Sequence, residues 1–190
     1  TKSHKNIYIE QCSYYEDVNV LYQAIGSKYV QGYDYLLSTR VDNDDMLAKD
    51  FVETLQQQFP ITHAPAVLTF TNGIQWFELQ NMVFAVAYDR NHFLNFWEDK
   101  QNIRTSLGVD HTKLQTNNLI RLHKSFMWCE IVHGNNISNS YVPKYRYSLN
   151  VSTDAYPINI EINKIKQCWF LICEHVIFRY HQILRYFMKR

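Results

Sequence analysis

Apolar and polar positions alternate over Asn6-Ile7-Tyr8-Ile9-Glu10, which predicts a short strand. Behind it, Ser13 and Glu16 stand at capping-box spacing, and Val18, Leu21, Tyr22, Ile25 and Tyr29 recur at helical intervals in a helix that Gly32 brings to an end. Residues 34–40 again read as a strand. After it Leu47, Phe51, Leu55 and Phe59 fall on one helical stripe, with Asn43 or Asp44 at the N-cap and Pro60 closing the helix. The order strand, helix, strand, helix over residues 7–59 argues for parallel strands in an α/β sheet, whose ligands bind beyond the carboxyl ends of the strands.

The pattern then changes. Residues 66–71 and 74–79 are β-rich runs separated by Asn72-Gly73, which predicts a hairpin, and 82–88 reads as a third strand. Asn91 is placed to cap a short helix through Phe93, Phe96 and Trp97. Residues 119–124 have no clear preference, whereas 126–132 read as a strand that ends at His133-Gly134-Asn135-Asn136. Residues 138–157 are turn-rich and aperiodic. A long helix runs from about Ile162 to the end, with a wide apolar face that includes Ile165, Trp169, Ile172, Val176 and Tyr180.

The polar residues break this pattern most sharply at Asp42-Asn43-Asp44-Asp45. Three carboxylates so close in sequence repel one another, and a fold that holds them together supplies a cation, hydrogen-bond donors, or both. Helix-start decoration accounts for one or two of these residues but less well for the whole set. An EF-hand is excluded, because its glycine and its distal glutamate are missing. Hard carboxylates suit Mg2+ or Mn2+, and His133, at a second strand end, is a candidate further ligand or an ordinary structural histidine.

Composition narrows the class. A chain of 190 residues with formal charge +1 is one domain on length, with no basic field that would point to nucleic acid. The 14 Tyr and 11 Phe suit clefts walled by rings, and equally an aromatic core. Cys12, Cys129, Cys168 and Cys173 form no C-x-x-C pair and read as reduced thiols of a cytoplasmic protein. No run is long and apolar enough to span a bilayer.

The run Ser38-Thr39-Arg40-Val41-Asp42-Asn43-Asp44-Asp45-Met46-Leu47 resembles the signature of a family of bacterial rhamnosyltransferases and of the wider nucleotide-sugar glycosyltransferases of the A fold. The later run from Trp128 through His133-Gly134-Asn135-Asn136 to Asn139 is similar to the same family, and the resemblance covers residues 34–139. It implies an α/β fold with a mixed, Rossmann-like sheet of the glycosyltransferase A type over residues 1–157, followed by an amphipathic helical extension over 158–190. It implies transfer of a sugar, with rhamnose the sugar it names, from a nucleotide-sugar donor to a saccharide acceptor in bacterial surface-polysaccharide synthesis. Asp42 and Asp44 match the Asp-x-Asp pair that holds Mn2+ or Mg2+, and His133 matches the histidine that completes the metal site. Arg40, Asp45, Asn135 and Asn136 fall to the donor, Arg40 through contact with the donor or by pairing with Asp45.

An inverting enzyme also needs a carboxylate to take the acceptor proton, for which Asp110, Asp99 and Glu98 are candidates. Only one strand and one helix precede the strand that carries the acids, so much of the N-terminal nucleotide-binding half is expected to lie outside this chain, as its start at Thr1 also indicates. Two rivals remain: a metal-dependent phosphoryl-transfer or nuclease-like enzyme using the same acids, and a non-catalytic remnant that binds saccharide or protein. Basic residues beside Trp169, Phe170, Phe178, Tyr186 and Phe187 suit peripheral contact with the inner face of the plasma membrane and with lipid-linked acceptors, against simple packing on the domain.

Overall fold

The computed structural model describes residues 18–58, 64–108, 111, 113–114, 118–133 and 148–188. The strand expected at Ile7, the capping box of Ser13 and Glu16, Pro60, Asp110, Asn135 and Asn136 lie outside them. Among the described residues the fold is mixed α/β with two four-stranded mixed sheets.

Helix α1 (Val18–Tyr29) ends before Gly32, whose φ of +85° lies in the left-handed region that glycine tolerates. Strand β1 (Tyr35–Thr39) forms as expected, but its neighbour is antiparallel rather than parallel: β6 (Asn95–Asp99) pairs Tyr35 with Asp99 and Thr39 with Asn95. The first sheet continues through β3 (Ala66–Phe70), antiparallel to β6, to β7 (Leu119–Leu122), parallel to β3. All of β3 is buried, because its two faces supply different cores. Leu68 and Phe70 join Phe51, Leu55, Phe93, Trp97 and Trp128 on one side, while Val67 packs with Leu94, Phe96 and Leu114 on the other. Such strands read as continuous apolar runs.

The second sheet is ordered β2 (Met46–Leu47), β8 (Trp128–Val132), β4 (Asn72–Phe77) and β5 (Met82–Ala87). Here two expectations fail. Asn72-Gly73 is not a hairpin turn. It opens β4, and with only Thr71 between them β3 and β4 form one extended path that leaves the first sheet and enters the second. Gly73 is required by packing, since a Cβ there would lie 2.1 Å from Cδ2 of Trp128. That indole is fixed by its Nε1–H donating to the Phe70 carbonyl at 2.7 Å and by stacking on Phe93 at 5.1 Å, which couples the sheets. The true hairpin is β4–β5, turned at Asn81 with φ +52°.

The helix expected to begin near Leu47 also starts later. Met46 and Leu47 pair antiparallel with Cys129 and Trp128, and helix α2 is confined to Phe51–Gln56, with Phe51 and Leu55 in the core as the stripe required. The acids therefore occupy a loop between two strands, not a helix N-terminus. Nor is there a helix from Asn91. Phe93, Leu94, Phe96 and Trp97 are buried on both faces of the β6 region, and helical spacing arose from a strand with no solvent face. Asn91 is buried, accepting from the Phe93 N–H at 3.1 Å and donating to the Phe70 and Tyr88 carbonyls at 3.0 and 2.8 Å. The long helix is present as α3 (Lys164–Met188), and no helix among the described residues is long and apolar enough to cross a membrane.

Candidate metal and donor site

Two connections between the sheets cross at one place. The loop from β1 to β2 passes from the first sheet to the second and carries Arg40, Asp42, Asp44 and Asp45, while the link from β5 to β6 returns and carries His92. The carboxyl end of β8 supplies Glu130, Ile131 and His133 beside them.

Asp45 is the most enclosed of the acids, with no exposed side-chain surface. Its Oδ1 accepts from the Ile131 N–H at 3.0 Å and its Oδ2 lies 2.7 Å from His92 Nε2. Its own N–H closes a turn onto the Asp42 carbonyl at 3.1 Å, so backbone geometry sets Asp42 beside it. Asp42 receives a bidentate hydrogen bond from Arg40, Nε to Oδ1 at 2.9 Å and Nη2 to Oδ2 at 3.1 Å. Burial alone would raise the Asp42 carboxyl, but Arg40, aided by His92 and His111, outweighs it and holds the group below its ordinary value. The same hydrogen bond raises Arg40. Asp44 pairs with His133, Oδ2 to Nε2 at 3.0 Å.

One ligand atom each from Asp42, Asp45 and His92 lies within 4.8 Å of the others. The metal set expected from sequence was Asp42, Asp44 and His133. The structure brings all three into the same neighbourhood but divides them, Asp42 with Asp45 and His92, Asp44 with His133. Arg40, expected to touch Asp45 or the donor, binds Asp42 instead. Glu98 and Asp99 lie at the far end of β1, opposite Leu36 and Tyr35. Glu98 is buried and accepts from the Arg104 and Thr105 N–H groups at 2.9 Å each, and Asp99 accepts from the Gln101 N–H at 2.9 Å. His111, next to Asp110 in sequence, does reach the cluster, its ring 6.0 Å from that of His92.

A model of the family described as "Putative rhamnosyl transferase" matches residues 1–145. The chain belongs to this family. The match spans every residue of the site and ends before α3. No curated protein and no solved structure matches the chain. The description of the rhamnosyl transferase family is that of a glycosyltransferase, which agrees at that coarse level with the reading of the two motifs.

Sequence reasoning missed His92 and Glu130. His92 sits in a connection far from the acids in sequence, and no local pattern marks it. Glu130 lay within a recognised strand, where alternation gives a face but not a neighbour. It is paired across the sheet with Gln75, whose Nε2 donates to its Oε2 at 2.5 Å. Burial, reinforced by Asp45 and Asp44, raises its carboxyl against the opposing effect of Gln75 and His92. Asp42, Asp44 and Asp45 are thus met by one guanidinium and two imidazoles, with Glu130 crowded by Asp45 and Asp44, a set of acids whose mutual repulsion a divalent cation would relieve. Two carboxylates and an imidazole form a donor set suited to Mn2+. Ligands about 2.1 Å from an ion stand about 3–4 Å apart, so the trio would have to close by about 1–2 Å, with Asp42 sharing an oxygen between Arg40 and the ion.

Proposed function

We propose that this chain is a metal-dependent glycosyltransferase, related to the A-fold enzymes, that moves a sugar, rhamnose by the family's description, from a nucleotide donor to a saccharide acceptor in bacterial surface-polysaccharide synthesis. The observation that carries the reading is the convergence of Asp42, Asp45 and His92. A divalent ion held there would supply positive charge for a leaving diphosphate. Asp45 is aimed by the Ile131 N–H, and its hydrogen bond to His92 would give way as both side chains turn to the ion. Arg40 keeps Asp42 ionised, and Asn135 and Asn136, which follow His133 in sequence, are donor-binding candidates. Asp44 and His133 complete the ligand field or orient the donor. Asp110 is the base candidate we favour, because its neighbour His111 lies at the cluster.

The rival, metal-dependent phosphoryl transfer, draws on the same acids with Glu130 added. One screen separates the two: nucleotide sugars with Mn2+ or Mg2+, with and without chelator, alongside a phosphodiester substrate. Glycosyl transfer predicts chelator-sensitive release of a nucleoside diphosphate. Phosphodiester cleavage without release from any donor would replace the proposal by its rival.

A further inference from the structure

Helix α3 carries two apolar faces, and the domain uses one of them. Asn163 caps it by accepting from the Lys166 N–H at 3.0 Å, and its own N–H is tied to the Asn81 carbonyl at 3.0 Å, which fixes the helix to the β4–β5 turn. On the domain side Gln167 is buried and donates to the Val83 carbonyl. Phe170, assigned by sequence to the outer surface, instead lies 5.8 Å from the ring of Phe84 and 6.1 Å from that of Phe77. On the other side Ile165, Trp169, Ile172, Val176 and Tyr180 follow one another at spacings of three and four, a single straight stripe about 22 Å long. These five residues are between 55 and 76% exposed.

The charge along the helix is one-sided. Lys164, Lys166 and Arg179 are exposed, whereas the one acid in the helix, Glu174, lies two turns beyond Gln167 on the domain side and is partly buried. A second copy docking through this stripe would bring an excess of cations to both sides of the contact, with only the exposed Glu161 of each copy beside them. An anionic bilayer surface complements both features, because the apolar stripe enters the headgroup boundary while the cations meet lipid phosphates. A tryptophan and a tyrosine within the stripe suit that boundary.

We infer that α3 is an interfacial helix that seats the domain on an anionic membrane through Ile165, Trp169, Ile172, Val176 and Tyr180. This does not depend on the glycosyl-transfer reading, and its test contains no sugar. The whole chain is mixed with vesicles of phosphatidylcholine alone or with phosphatidylglycerol added. Binding is read by co-sedimentation and by the lipid-induced change in tryptophan emission, assigned to Trp169 by its loss in Trp169→Phe, since Trp97 and Trp128 are buried and Trp76 is half-buried. The expected result is salt-sensitive binding to the anionic vesicles, with a blue shift and quenching by brominated lipid. Ile172→Asp and Val176→Asp, both at exposed positions and so compatible with folding, each weaken partition about tenfold or more. Lys166→Gln weakens it about fivefold. No partition, equal partition into neutral vesicles, or a concentration-dependent dimer broken by the Asp variants in the absence of lipid would each overturn the inference.

Discussion

The two ends of β1 both meet acids, and they use them differently. At the amino end, Glu98 gives one oxygen to each of two successive backbone amides, so its carboxyl group is satisfied by donors that cannot leave. At the carboxyl end, Asp42, Asp44 and Asp45 are met mainly by Arg40, His133 and His92, side chains that can rotate away or share an oxygen with an incoming cation. A carboxylate that accepts only from backbone is part of the framework. Carboxylates that accept from imidazoles, crowded beyond what one arginine neutralises, are poised to exchange partners. The enclosure differs as well: Glu98 and Asp45 are buried, whereas the Asp42 and Asp44 side chains are partly open to solvent.

The contrast can be broken from either side. The largest effect is expected from Asp45→Asn, which keeps an acceptor for the Ile131 N–H but removes the charge: diphosphate release should fall about 100-fold or more while the melting temperature changes little. Glu98→Gln should do the reverse, turning an amide donor toward two backbone N–H groups. It should cost about 2 kcal/mol by denaturant titration, with the rate per folded molecule unchanged.

Glu130 sharpens the comparison, because it is an acid in the second region held by burial above its ordinary range. A raised folded-state value means stability is full below the unfolded carboxyl range and is lost as pH rises through the folded value. Glu130→Gln should therefore be more stable than wild type at neutral pH, with the two melting curves converging in acid. The smallest effect is expected at Asp42, whose folded-state value is lowered, so that its contribution is present above the ordinary carboxylate range and lost as pH falls through the folded value. Arg40→Gln should flatten this acid-side loss by less than about 1 kcal/mol, because both side chains are partly solvated.

Much of the framework was legible because its signals are local. β1, β5, β8, α1 and α3 follow from alternation or helical spacing, and Phe51 and Leu55 from the stripe. The errors fall where long-range pairing overrides local preference. Met46 and Leu47 are drawn from a helix into a strand by β8, Asn72-Gly73 becomes a sheet-switching corner because Trp128 needs the space, and β6 mimics helical spacing because both its faces are buried. The acids and His133 were legible as candidates. Their partition was not, because His92 comes from a distant connection and carries no pattern of its own.

The central claim is that Asp42, Asp45 and His92 hold a divalent ion, and Mn2+ binding followed by electron paramagnetic resonance tests it most directly. The wild-type chain should take up one Mn2+ with saturable affinity, and both His92→Ala and Asp45→Asn should lose it. Uptake that is absent, or equally strong in those two variants, would contradict the site.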